Sequence, residues 1–158
     1  MDSHDTERIL ATAKGDIQLV KSALAFLFLQ RGTPCIYYGT ELELGGGMDP
    51  DCRRVMPWDR VSDSNDMLNF MKNLIQLRKD IAGIIQHGKF TLEEIAPDVL
   101  ALEWQHDHQA IRAIFNQSKD NYLLDRDSAD LVSHCKTDDE RLLILPKGFV
   151  VYCDESKR

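Results

Sequence analysis

Gly32-Thr33-Pro34-Cys35-Ile36-Tyr37-Tyr38-Gly39-Thr40-Glu41 is the stretch on which the reading of this chain turns. Gly32 and Pro34 stop whatever helix precedes them, because glycine takes left-handed backbone readily and proline has no N–H to carry a helix on. Pro34 to Tyr38 then reads as a short buried strand, rich in residues that suit a pleated surface, and Gly39 closes it. A helix stop, a core strand with packed tyrosines and a turn account for each residue type. They do not account for this order.

Upstream, Asp16 to Gln30 predicts a helix that Gly15-Asp16 opens and Gly32 with Pro34 ends. Leu19, Val20, Ala23, Leu24, Phe26, Leu27 and Phe28 leave it little polar surface, so it expects to be covered around much of its circumference. Before it, Asp5-Thr6-Glu7-Arg8 reads as a loop entering a short helical turn at Ile9 and Leu10. Downstream, Thr40 to Asp66 is a long irregular stretch, and loops of that length in compact chains are usually functional or mobile. Leu68, Met71, Leu74, Ile75 and Leu77 then recur at helical spacing from about Asn65 to Lys79, and Gly83 and Gly88 break the pattern. From Phe90 onward the grammar is one of short strands: Val99 to Trp104, Ala110 to Asn116, Leu142 to Leu145 and Phe149 to Tyr152. Gln105 to Gln109 and Lys147-Gly148 are the turns.

Composition narrows the function classes. The 158 residues are 43% hydrophobic and 28% charged, which describes a globular chain able to build a core. A formal net charge of -7 argues against a nucleic-acid partner, since Arg53-Arg54 is the nearest thing to a basic cluster. The longest apolar run, Ala23 to Leu29, is too short to span a bilayer. Cys35, Cys52, Cys135 and Cys153 form no C-x-x-C pair and no zinc-like spacing, so free thiols in a reducing compartment are expected. Met1-Asp2-Ser3-His4-Asp5 lacks the basic and apolar blocks of a signal peptide. Together these point to a cytoplasmic protein with neither cofactor nor metal.

Several clusters suggest chemistry. Ser3-His4-Asp5 either caps the following helical turn or projects an imidazole and a carboxylate into a cleft. It is no Ser–His–Asp triad, because neighbours on an extended chain point in different directions. Asp49-Pro50-Asp51-Cys52-Arg53 lacks the further oxygen donors of a calcium loop, and an internal Asp–Arg pair holding the loop is the plain alternative. Gly45-Gly46-Gly47 is no phosphate loop, as no Gly-Lys-Ser/Thr follows. His106-Asp107-His108 reads as a solvated turn.

Taken in order, Ser3-His4-Asp5-Thr6-Glu7-Arg8, Gly32 to Glu41, Asp49 to Arg53 and Met56-Pro57-Trp58-Asp59 resemble the α-amylase clan of glycoside hydrolases. The Asp-Pro-Asp-Cys-Arg-Arg run and the Met-Pro-Trp-Asp after it look most like neopullulanases, cyclomaltodextrinases and maltogenic amylases. The resemblance is close over the first half of the chain and in outline over the second. It implies the last part of a (β/α)₈ barrel over 1–82, followed by an antiparallel β-sandwich over 83–158. Ser3-His4-Asp5 would then end the seventh barrel strand and Pro34 to Tyr38 would form the eighth. A whole barrel takes ~250 residues, so about its last third is expected here.

The resemblance also assigns roles. Retaining hydrolysis uses a nucleophilic carboxylate and a second that serves as general acid/base, about 5 Å apart across the glycosidic bond. In the clan both come from earlier strands. Asp5 is then the third catalytic carboxylate and His4 its substrate-binding neighbour, both on the sugar whose bond is cut, while Asp49 and Arg53 contact glucose units further away. Met48 stands where the branch commonly has a polar residue. The partners implied are an α-glucan or maltooligosaccharide, the earlier part of the barrel and, to cover the open edge, a second copy of the chain. The chain alone is expected to be inactive. The alternatives are a non-catalytic glucan-binding or association module and the remnant of a truncated gene.

Overall fold

The structure, a computed structural model, describes residues 2–125, 130–133, 135–138 and 141–153. It forms two compact units: Met1–Phe28 with Thr33–Gln76, and Leu29–Gly32 with Leu77–Arg158. The first unit is made of helices and irregular chain, and the second carries the antiparallel sheets that were expected. Cys35, Cys52 and Cys153 are free thiols; Met1 and the Cys135 side chain lie outside what is described.

Helices α1 (Ile9–Thr12) and α2 (Ile17–Phe28) and the first turns of α3 (Asp66–Asp80) belong to the first unit. The expected starts at Asp16 and Asn65 are the caps rather than the first helical residues. Asp16 Oδ1 accepts the Leu19 N–H at 3.0 Å, and Asn65 Oδ1 accepts the Leu68 N–H at 2.8 Å. Each satisfies an N–H that the helix itself cannot. No residue of α2 is fully exposed, in keeping with its apolar composition. In α3 the fully buried stripe in this unit is Met67, Met71 and Leu74, while Ile75 is exposed and Leu68 half-buried. The sequence period had merged these two faces. Lys21 of α2, almost entirely buried, is paired with the Asp66 carboxylate and lies 5.4 Å from the centre of the Phe70 ring.

The expected buried strand Pro34–Tyr38 takes a different form here. Residues 33–37 are irregular chain, Cys35 and Tyr38 are exposed, and the described residues of this unit contain no β-strand. A strand needs a neighbour to take its N–H and C=O groups, and among the described residues no ladder partner stands beside this one. The unit is closed instead by three 3₁₀ turns: Thr40–Leu42, Asp51–Arg53 and Trp58–Arg60.

The second unit adds α4 (Ala82–His87), which runs through Gly83, a residue expected to break the helix. A helical glycine costs about 1 kcal/mol, and burial of Ile84 and Ile85 offsets it. Eight strands follow among the described residues: β1 (Lys89–Ala96), β2 (Val99–His106), β3 (Gln109–Asn116), β4 (Tyr122–Asp125), β5 (Asp130–Ser133), β6 (Cys135–Asp138), β7 (Arg141–Ile144) and β8 (Phe149–Cys153). They build sheets in the order β1-β2-β3-β8-β5 and β4-β7-β6, with antiparallel pairing throughout. The hairpin expected at Gln105 to Gln109 is tighter than the sequence suggested. His106 pairs with Gln109, so the loop is Asp107-His108, and Asp107 carries the positive φ of 51°.

Between the sheets, Val99, Ala101, Ile114, Leu142, Ile144, Val150 and Tyr152 form one apolar cluster. The alternate residues Leu102, Trp104, Ile111, Ala113, Phe115, Phe149 and Val151 are buried as well. The central strands are thus covered on both faces, and their sequences read as continuous apolar runs instead of alternating ones. Trp104, 2% exposed, donates its Nε1–H to Leu29 O at 2.7 Å, and the Arg31 guanidinium lies 5.1 Å from the centre of its ring. Asn116 is the buried polar residue of this core. Its amide donates to Asp120 O and Ile144 O and accepts from the Ser118 N–H and hydroxyl, which fixes the 116–120 turn.

Candidate functional site

The residues singled out by sequence all lie in the first unit. His4 and Asp5 occupy a turn, not the end of a strand. The turn is tied locally: the Ser3 N–H donates to Thr6 Oγ1 at 2.9 Å, and the Asp5 N–H donates to Ser3 Oγ at 3.2 Å. Turning the chain brings two neighbouring side chains together. His4 Nε2 stands 3.0 Å from Asp5 Oδ2, where an extended chain would have parted them. Both are open to solvent, 65% and 72% exposed. Neither Ser3 nor Asp5 caps α1; the contact to the Ile9 N–H comes from Asp2 Oδ2, at 3.4 Å.

Asp49 and Arg53 form an ion pair four residues apart, each about half exposed. One step along, Arg54 holds Asp51 through Nε and Nη2, each 2.8 Å from a carboxylate oxygen. The Arg54 guanidinium, helped by the Gly47 N–H, holds the Asp51 carboxyl below its ordinary range, and Asp51 in turn raises Arg54. The internal pairing weighed for this loop therefore occurs twice. Exposed pairs of this kind add little to stability, so what they contribute is geometry.

Two glycines let the chain pass close enough to make this loop. Gly46 lies against Asp51, and a Cβ there would meet the Asp51 carbonyl oxygen at 2.5 Å. Gly39 has φ +82°, and its Cβ would meet Leu44 Cδ2 at 2.7 Å, so the closing glycine of the first motif is required twice over. The tyrosines before it are not core packing. Their rings meet edge to face at 4.6 Å, and the Tyr38 hydroxyl donates to Arg54 O at 2.6 Å. Burial, then the neighbouring Tyr38, pushes the Tyr37 phenol up.

The residue that sequence reasoning passed over is Arg8, quoted in a motif but given no role. Its side chain is 0% exposed. Nε donates to Cys52 O at 2.7 Å and Nη1 to Tyr38 O at 2.6 Å, while its backbone N–H donates to Gly46 O at 3.0 Å. The guanidinium carbon lies 4.1 Å from the Tyr37 ring centre and 4.6 Å from that of Tyr38. The buried Asp2 carboxylate, 3.9 Å from Nη1, gives it a counter-charge. The available signal was slight: Arg8 stands three residues after Asp5 and is the one cation of that motif. Cys52, also buried, points its thiol at His4 O at 3.1 Å. That contact brings the His4–Asp5 turn and the Asp49–Arg53 loop into one neighbourhood.

Beside this lie two open apolar grooves within the same unit. One, about 340 Å³, runs between α1 and α2 and is lined by Ile9, Ala13, Leu19, Val20 and Ala23 among others. The other, about 270 Å³, is bounded by Ile36, Tyr38 and Glu41 with Leu68, Met71 and Ile75 of α3. Met48, Val55 and Trp58 on the long loop are exposed, Trp58 at 74%. No group of three or more His, Cys, Asp or Glu side chains among the described residues is placed to hold a metal ion. No helix among them is long and apolar enough to cross a membrane.

The profile of the α-amylase catalytic domain matches residues 1–82. An intracellular maltogenic amylase of Bacillus subtilis (strain 168) is 39% identical over 144 residues, 91% of this chain and 19% of that protein. A cyclomaltodextrinase of a Bacillus species is 39% identical over 127 residues, 78% of this chain and 22% of its own length. Among solved structures, the maltogenic amylase from S. marinus superposes with a TM-score of 0.79 at 30% identity, over 95% of this chain and 21% of that one. The chain spans about a fifth of the length of these relatives.

Proposed function

We propose, on the premise that this chain belongs to the α-amylase family of glycoside hydrolases, that it supplies sugar-binding groups to the retaining hydrolysis of α-1,4-glucosidic bonds. The observation that carries this reading is the solvent-facing His4–Asp5 pair set beside the Asp49–Arg53 loop through Cys52. Asp5 and His4 accept and donate hydrogen bonds to the hydroxyls of the sugar whose bond is cut. A charged partner on a sugar hydroxyl gains most as the ring flattens toward an oxocarbenium-like transition state, because positive charge grows there. Asp49 and Arg53 grip a glucose unit further along.

The nucleophile and the general acid/base lie outside this chain. Those roles need two free carboxyls facing each other across the bond, about 5 Å apart in a retaining enzyme. Three carboxylates near the turn are committed: Asp2 to Thr40 and Arg8, Asp49 to Arg53, and Asp51 to Arg54 and Gly47. Residues 1–82 serve as the last part of the barrel and 83–158 as its sandwich domain. The α-glucan, the earlier barrel strands and a second copy are its partners, in the cytoplasm, where the B. subtilis relative is described as intracellular.

The test is direct. The purified chain releases no reducing sugar from β-cyclodextrin or pullulan, yet the amide signals of residues 4–5 and 49–53 shift on titration with maltotetraose. Asp5→Ala abolishes the shift at the turn. Hydrolysis by the chain alone, itself abolished by Asp5→Asn, would show that the bond-breaking groups are present after all.

A further inference from the structure

We infer that Arg8 is the positioning residue of this sugar-binding face: it sets the His4–Asp5 turn and the Asp49–Arg53 loop at a fixed spacing. The inference rests on the reading that these two segments bind α-glucan. Arg8 itself has no exposed surface and cannot touch a sugar in this chain. Its reach is inward. Through its backbone and side chain it joins three stretches distant in sequence, by hydrogen bonds to Gly46 O, Tyr38 O and Cys52 O. Cys52 lies next to Arg53, and its thiol donates to His4 O, so by holding the Cys52 carbonyl Arg8 braces the residue that joins one candidate sugar contact to the other.

The chemistry calls for arginine. A planar fork can aim Nε and Nη1 at two carbonyls in different segments while its face lies near the Tyr37 and Tyr38 rings. Lysine keeps the charge but ends in one compact ammonium, which cannot hold both carbonyls at the arginine's separation. With Arg8→Lys the two segments remain but lose their common reference. A short sugar that needs only the turn should scarcely notice. A longer one that must reach both should lose what it gained by reaching the second.

The experiment uses the full 158-residue chain, with maltose and maltotetraose as ligands followed by amide shifts. In the wild type, maltotetraose binds more tightly than maltose; in Arg8→Lys that advantage falls about tenfold while maltose changes by about twofold or less. Without sugar, the amides of His4–Asp5 and Asp49–Arg53 move together in Arg8→Lys, and iodoacetamide reaches Cys52 about tenfold faster. An unchanged preference for the longer sugar, beside a loosened Cys52, makes Arg8 a fold residue only and overturns the inference. So do unmoved amides with Cys52 still protected. A wild-type chain that binds neither sugar sinks the glucan reading instead, and the sugar-free arm then decides the spacing alone. Should Arg8→Lys fail to fold, Cys52→Ala removes the link to His4 O and is read by the same sugar ratio.

Discussion

The two units hold themselves together by different means. In the second, strands pair with strands and one apolar cluster fills the space between the sheets, with Asn116 as the buried polar exception. In the first, the centre of the loop region is a buried cation whose hydrogen bonds run to backbone carbonyls, and two apolar grooves stay open at its flanks. Apolar burial is non-directional and forgiving; a clamp of charge-assisted bonds is neither. The first unit places its groups by angle and distance. The second is organised for stability.

The contrast can be broken by substitutions of graded size. Trp104→Ala removes a filled, hydrogen-bonded position from the second unit and should cost about 3–5 kcal/mol. Urea unfolding followed by circular dichroism measures it, and a loss below about 1 kcal/mol would mean that core is not close-packed. Asp5→Asn is the opposite case. In a chimera that completes the barrel with the earlier strands of a relative, it should lower kcat by about 10²-fold or more, with a smaller change in KM. Stability should hardly move, because Asp5 is so exposed. A large fall in melting temperature would assign it a structural task.

Asn116→Ala comes next, at about 1–3 kcal/mol, since Asp120 O and Ile144 O both lose their shared donor. The smallest effect is one of pH. The carboxyl of Asp51 sits lower in the folded chain than in the unfolded one, because Arg54 and the Gly47 N–H stabilise its charge. Its contribution is therefore complete above the ordinary carboxylate range and fades as pH falls through the folded value. The Gly47 amide signal should shift in that acid range, and Asp51→Asn should remove the transition. A Gly47 titration that persists in the variant would trace to another group.

What was legible follows the same division. Helices α2 and α3 could be read because their apolar residues recur at helical spacing, and strands β2, β3, β7 and β8 because theirs form short, nearly unbroken runs. β1 could not: residues 89–94 are all exposed, so Lys89, Glu93 and Glu94 carry no burial signal. α4 was hidden by Gly83, whose local preference loses to the packing of Ile84 and Ile85. At the site, the family resemblance singled out His4, Asp5, Asp49 and Arg53 but gave Arg8 no role. A sequence pattern reports which residues are apolar. It does not report that an arginine will be buried against two tyrosines and three carbonyls 30 to 44 residues away.

The chain's two tryptophans fall one in each unit and in opposite surroundings: Trp104 2% exposed, Trp58 74%. Each unit thus carries its own optical reporter. Emission from Trp104 should lie to the blue and resist iodide, while that from Trp58 should lie to the red and be quenched freely. Phenylalanine at position 58 leaves a spectrum that follows only the sandwich, and phenylalanine at 104 one that follows only the loop. With that pair of single-tryptophan chains, melting of the sandwich and loosening of the proposed sugar-binding face could be timed separately in one cuvette.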